Sequence, residues 1–164
     1  MPDQYEVRIR KEALKFAASH MTVFPDGTKE ALHGHQYQPT LSLFSGETGF
    51  ESMIAFSTIK ESMKKIAKLW DEKVLIATGN PFFEILRNTR EEIEFTLCGK
   101  RYVLPSDEVV LLKVDNITCE RLARAYFEFL VSDLEEVLKK GKISSMCVFI
   151  EESPGQGAAF RNEL

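Results

Sequence analysis

Little in this sequence commits it to nucleic acid, membrane or disulfide chemistry. Lys and Arg number 21 against 25 Asp and Glu, a net charge of −4. Phosphate neutralisation needs a basic surface, which argues against nucleic acid as the main partner. No apolar run approaches the ~18 residues of a membrane-spanning helix. The N-terminal stretch MPDQYEVRIRKE lacks an apolar core, so neither secretion nor membrane insertion is expected and the chain reads as cytoplasmic. Cysteine is scarce as well. Cys98, Cys119 and Cys147 are odd in number, widely spaced and without a CxxC, so they read as free thiols in a reducing compartment. With 44% hydrophobic and 28% charged residues in 164 positions, the composition is that of one ordinary globular domain.

Histidine is scarcer still in distribution than in number. The chain has three, His20, His33 and His35, all within sixteen consecutive positions. Three imidazoles suffice to hold a catalytic zinc ion and leave its fourth position open for water or substrate. His33 and His35 flank Gly34, so on a strand both rings leave the same face. An isolated HxH also suits a polar turn, but no histidine of this chain lies elsewhere.

The first 45 residues read as a β-hairpin. Tyr5, Val7 and Ile9 alternate with charged residues, and Leu14, Phe16, Ala18 and His20 resume the pattern on the other parity, with a register change near Lys11 to Ala13. Pro25-Asp26-Gly27 marks the turn. The second strand then places His33, His35, Tyr37, Leu41 and Leu43 on one face. A helix is expected next, with Thr58 and Glu61 at capping-box spacing and Ile59, Met63, Ile66 and Trp70 as its apolar stripe. Asn80-Pro81 breaks the chain, and Ile93 to Val103 reads as a small accessory hairpin turning at Cys98-Gly99-Lys100. Val109 to Val114 is a short apolar run. Asn116 is a candidate cap for a second helix, along which Leu122, Tyr126, Leu130, Leu134 and Leu138 step by four until Lys139-Lys140-Gly141. Ile143 to Glu152 and Ala158 to Arg161 are the last two strands. The expected order is two strands, two helices, two strands.

Four segments in this order resemble the 6-pyruvoyl-tetrahydropterin synthase and 6-carboxytetrahydropterin synthase family. They are Phe16-Ala17-Ala18-Ser19-His20, Leu32-His33-Gly34-His35-Gln36-Tyr37, Asn116-Ile117-Thr118-Cys119-Glu120, and Glu152-Ser153 followed by Phe160-Arg161. The resemblance implies an α+β tunnelling fold: a four-stranded antiparallel sheet with two helices on one face, here as a single domain over 1–164 with an insertion at about 78–108. It implies homo-oligomers, hexamers built as dimers of trimers, with active sites between subunits. A small-molecule pterin is the implied partner and Zn2+ the implied cofactor, held by His20, His33 and His35.

The resemblance also assigns roles. Glu152 matches a glutamate that anchors the pterin, because a carboxylate accepts two parallel hydrogen bonds from adjacent N–H groups. Thr118 and Glu120 match further pterin-pocket positions, although Glu120 also suits the first turn of a helix. Family synthases usually carry a cysteine before HGH as general base, and this chain has none there. Glu30 is the candidate in its place, as in members associated with forming 6-hydroxymethyl-dihydropterin for folate synthesis; read alone, it is a solvated loop charge beside Lys29. Asp71 matches the aspartate of a family Asp-His pair, while Glu72 replaces the histidine. Two further departures are Arg121, where asparagine is common, and Ala55, where aspartate is. The expected function is therefore a zinc-dependent lyase acting on the side chain of 7,8-dihydroneopterin triphosphate. The alternatives are the glutamate-type variant, a non-catalytic zinc and pterin binder, and a purely structural oligomer.

Overall fold

The computed structural model describes residues 4–164, so the first three positions of the N-terminal stretch lie outside the described residues. β1 (Tyr5–Ile9) and β2 (Phe16–His20) are separated by a 3-10 turn at Glu12–Leu14, where the alternation changes parity. A one-residue slip would turn every following side chain to the other face. The turn absorbs that slip, and Leu14 is buried beneath it. Both strands then lie end to end along one edge of the long β3 (His33–Ser45): Ile9 pairs with Leu41 and Phe16 with Tyr37, both antiparallel. On the other edge of β3 come β9 (Ile143–Ser153) and β10 (Gln156–Glu163), again antiparallel. Counted with β1 and β2 as one interrupted strand, these are the four antiparallel strands expected.

The sheet does not stop there. β4 (Lys73–Ala77) adds parallel to β2, and β8 (Val109–Leu112) adds parallel to β4, giving a seven-stranded mixed sheet. Parallel strands covered on their faces are continuous apolar runs rather than alternating ones, and Val74 to Ala77 is such a run. The accessory hairpin is larger too. β5 (Phe83–Asn88), β6 (Glu92–Leu97) and β7 (Lys100–Pro105) form a separate three-stranded antiparallel sheet.

One face of the large sheet is covered by α1 (Phe56–Trp70) and α2 (Cys119–Asp133), the latter continued by the short α3 (Glu135–Lys140). Ile59, Met63, Ile66 and Trp70 all face the core, as their spacing demands. The capping box does not form: α1 begins at Phe56 after Ala55, so Thr58 and Glu61 lie inside the helix, and burial of the stripe takes the place of a side-chain cap. Asn116 is not a cap either. Thr118 takes that position, its hydroxyl accepting the Arg121 N–H at 3.5 Å, because the Asn116 amide is bonded elsewhere. The Tyr126 hydroxyl donates to the Met63 carbonyl at 2.9 Å and ties α2 to α1. Phe16, Trp70 and Tyr126 meet edge-on beneath them, with ring centroids 5.6 and 5.8 Å apart. A second, smaller core of Met21, Val23, Ile76, Ile93, Phe95 and Leu97 fixes the three-stranded sheet to the root of the 21–32 loop.

Candidate metal centre

Register builds the site. In the β2–β3 pair His20 stands opposite His33, and Ala18 opposite His35. Alternation sends His33, His35 and Tyr37 to the same helix-covered face as Phe16, Ala18 and His20. The rings converge, with centroids 4.7 Å apart for His20–His33, 5.3 Å for His20–His35 and 4.9 Å for His33–His35. One nitrogen of each lies within 4.8 Å of the other two. Gly34 serves this closeness, since a Cβ there would come 3.1 Å from the Ala18 carbonyl oxygen and the Ser19 hydroxyl.

Two of the rings have their tautomer set by backbone. His20 Nδ1 donates to the Ile117 carbonyl oxygen at 3.1 Å, and His33 Nδ1 to that of Ala31 at 2.8 Å. A carbonyl oxygen can only accept, so the proton is on Nδ1 and Nε2 keeps its lone pair. His20 is 2% exposed, and its Nε2 is buried without a partner among the described residues. Burial, aided by the neighbouring imidazoles, lowers the His20 pKa, so the ring stays neutral near pH 7. Neutral imidazole is the form that binds a metal. A buried polar atom without a partner costs ~1–3 kcal/mol, which a bound ion would offset. Three imidazoles converging around a buried lone pair therefore fit a divalent transition-metal ion.

Two carboxylates flank the rings. Glu30, on the 21–32 loop, places Oε2 3.9 Å from His33 Nε2. The Thr22 hydroxyl, with help from His33 and His20, holds the Glu30 carboxyl below its ordinary pKa, so it is ionised at neutral pH. Glu152 approaches from β9, on the parity of Met146, Val148 and Ile150, and places Oε2 4.0 Å from His35 Nε2. The Gln156 amide donates to its other oxygen at 2.7 Å. The buried Cys119 lies against this carboxylate; burial and then the Glu152 charge push its thiol up to about 12, so it remains protonated. Tyr37 floors the site, stacked on Phe16 at 5.1 Å, with its hydroxyl buried and without a partner among the described residues.

The other expected residues lie apart from this group. The Asp71 carboxylate accepts the Ala17 N–H at 2.8 Å, and the Glu72 N–H donates to the Ala17 carbonyl, which holds both against the edge of β2 opposite β3. Glu72, at φ 58°, lines a cavity of ≈ 470 Å³ with Ser19, Gln36 and Glu108. Thr118 and Glu120 line a cleft of ≈ 490 Å³ with Phe24, Phe82 and Arg121. The contacts of Cys119 with Glu152, and of Asn116 and Ile117 with the 21–32 loop and His20, are not foreseen by the sequence reading, which has Asn116 only as a cap and a motif residue. Cys119 had one signal, its place on the inward side of the first helical turn; the Asn116 contacts join residues too distant in sequence to leave any.

The family model for 6-pyruvoyl tetrahydropterin synthase matches residues 8–163. The chain belongs to that family. A Methanocaldococcus jannaschii protein, provisionally named a 6-carboxy-5,6,7,8-tetrahydropterin synthase, is 30% identical over 154 residues, covering 92% of this chain and 91% of its own. The crystal structure of the Plasmodium vivax 6-pyruvoyl tetrahydropterin synthase superposes with a TM-score of 0.89 at 23% identity, covering 99% of both chains. That of Plasmodium falciparum gives 0.86 at 21%, covering 98% of this chain and 99% of its own. Two further Plasmodium vivax structures carry alanine or cysteine in place of a glutamate described as a catalytic residue. The synthase fold thus extends over the three-stranded sheet as well as the large one. No helix among the described residues is long and apolar enough to cross a membrane.

Proposed function

We propose that this member of the synthase family is a zinc-dependent lyase acting on the side chain of 7,8-dihydroneopterin triphosphate. The observation that carries the reading is the buried, unpartnered Nε2 of His20 among three imidazoles, with one carboxylate on each side. Zinc at that place would polarise the side-chain hydroxyls of the substrate and stabilise developing oxyanion character. Glu152 accepts two parallel hydrogen bonds from adjacent pterin N–H groups, and Gln156 orients it for them. Glu30, ionised and on the opposite side, takes the proton from the side-chain carbon. Protein loaded with zinc and incubated with 7,8-dihydroneopterin triphosphate or 7,8-dihydroneopterin should give a new pterin by mass spectrometry. Failure to turn over either substrate with zinc bound would sink the catalytic reading.

A second reading has its own support. The 21–32 loop holds no cysteine and brings Glu30 to 3.9 Å from His33, and a glutamate is named as catalytic in the Plasmodium vivax enzyme. On this reading the product is 6-hydroxymethyl-7,8-dihydropterin, which the same mass-spectrometric assay distinguishes.

Asp71, Glu72, Thr118 and Glu120 enter the chemistry if copies of the chain meet. We read 1–164 as one domain, with the small sheet at about 78–108 as its accessory unit, assembling as a dimer of trimers. The helix-free face of the large sheet and the two clefts supply surfaces on which a neighbour's residues could complete each pocket. Light scattering at assay concentrations tests this, a monomer being the contrary result.

A further inference from the structure

The 21–32 loop joins two of the three clustered histidines by covalent chain, running from His20 to His33, and it carries Glu30. Its own bonds are local to the ribbon: a bridge between Val23 and Lys29, backbone bonds from the Phe24 N–H to the Thr28 carbonyl at 2.8 Å, the Gly27 N–H to the Phe24 carbonyl at 3.0 Å and the Glu30 N–H to the Thr22 carbonyl at 3.0 Å, and the Asp26 carboxylate accepting the Thr28 N–H and hydroxyl. A two-stranded ribbon of this size is marginal in water, so its shape must be imposed from outside. Beside a Thr22 hydroxyl to Ile117 carbonyl bond of 3.4 Å, two anchors hold it to the rest of the fold. At the root, one amide takes both backbone groups of Val23: Asn116 Oδ1 accepts its N–H at 3.0 Å, and Asn116 Nδ2 donates to its carbonyl at 2.8 Å. The same Oδ1 accepts the Ile117 N–H at 3.1 Å, and the Ile117 carbonyl takes the His20 ring. At the far end the Lys29 ammonium stands 5.2 Å from the centre of the Tyr102 ring and donates to the carbonyl of Glu30 at 2.9 Å. Tyr102 in turn is stacked on Phe95 of the small sheet at 5.2 Å.

We propose that Asn116 and Tyr102 are positioning residues that hold the 21–32 loop, and Glu30 with it, against the three imidazoles. The small sheet is then the brace of the loop, and Lys29 is a strut rather than a free cation for a phosphate. The kinetic part of this inference rests on Glu30 being the proton acceptor; the structural part does not.

Amide hydrogen exchange of the zinc-loaded full chain, read together with steady-state kinetics, tests both parts. Tyr102→Leu removes the ring face, Tyr102→Phe keeps it, and Asn116→Asp keeps the acceptor but loses the donor. In Tyr102→Leu and Asn116→Asp, exchange over 21–32 should rise by roughly two- to tenfold, with zinc content unchanged and kcat falling more than KM changes. Tyr102→Phe should behave as the parent protein. Lys29→Met, which leaves the small sheet intact, should loosen the same segment. Unchanged exchange over 21–32 in Tyr102→Leu overturns the proposal. So does acceleration shared equally by β9 and α2 while Lys29→Met leaves the loop protected. Should Glu30→Gln keep the full rate while the loop variants still exchange faster, the brace stands and the Glu30 reading falls.

Discussion

The His20 ring donates from Nδ1 to the carbonyl of Ile117, a residue 97 positions further along the chain, at 3.1 Å. This one bond joins the β2 strand to the start of α2 and aims a buried lone pair that no other group among the described residues satisfies. Backbone contacts of this kind fix the orientation of a metal-binding imidazole and add to its basicity.

Metal binding should therefore stabilise the protein. An ion present at 100 times its dissociation constant contributes about 2.7 kcal/mol if the unfolded chain does not bind it. For a chain of this size that corresponds to a rise in Tm of roughly 5–10 °C. Differential scanning fluorimetry with and without zinc reads the shift, and elemental analysis should find one ion per chain. His33→Ala should abolish both; an undiminished shift in that variant would place the ion elsewhere.

Without metal, stability should depend on pH through His20. Its folded-state pKa is depressed by burial below the ordinary 6.5. Below pH 6.5 the unfolded chain binds the proton and the folded chain does not, so stability is full above that value and is lost as pH falls toward the folded pKa. The lowered carboxylates begin to act only near their own ordinary values, about 4. Urea unfolding of the chelated protein at pH 7.5 and 5.5 should show the loss, and His20→Asn should flatten it.

Glu152→Gln should weaken pterin binding while leaving metal in place. The amide offers one acceptor where the carboxylate offers two, and it removes the charge that strengthens both bonds. Hydrogen bonds to a charged group contribute ~1.5–3 kcal/mol, so a loss of roughly 10- to 150-fold in affinity is expected. Neopterin titration followed by fluorescence measures it. Equal binding by the variant would remove Glu152 from the pocket.

Local patterns predicted the histidine face well because it is a local matter. Parity alone places His33, His35 and Tyr37 together, and Leu14 to His20 on the opposite parity from Ile9 reveals the turn between β1 and β2. What stayed hidden depends on pairings that leave no periodic trace. Val109 to Leu112 is too short to declare that it runs parallel to Val74 to Ala77, with the whole small sheet between them. Phe83–Asn88 is exposed along most of its length, with a bulge between Ile85 and Arg87, so it shows no alternation. The Thr58 and Glu61 spacing misleads because the helix starts three residues earlier, with Ala55 in the cap position, and is held by its buried stripe. Asp71 matches a motif, yet its carboxylate is engaged with the Ala17 N–H, a use that only the packing of α1 beside β2 discloses.

Glu30 decides between a thiolate-like and a carboxylate base. Ionised above the acid range, it should give a rate that is level from pH 6 to 9 if it accepts the proton. Glu30→Gln removes the base while keeping shape, and kcat should fall by ~10²–10⁴ with zinc retained, the usual magnitude of a general base. Glu30→Cys is the sharper variant. A thiol ordinarily titrates near 8.5, and the metal and imidazoles beside it lower that value only in part. Its rate should therefore climb with pH where the parent's is flat. The pH dependence of kcat/KM for the two proteins measures the difference. Superimposable profiles would show that the proton leaves to another group, and would move attention to Asp71 and Glu72 supplied by a neighbouring copy.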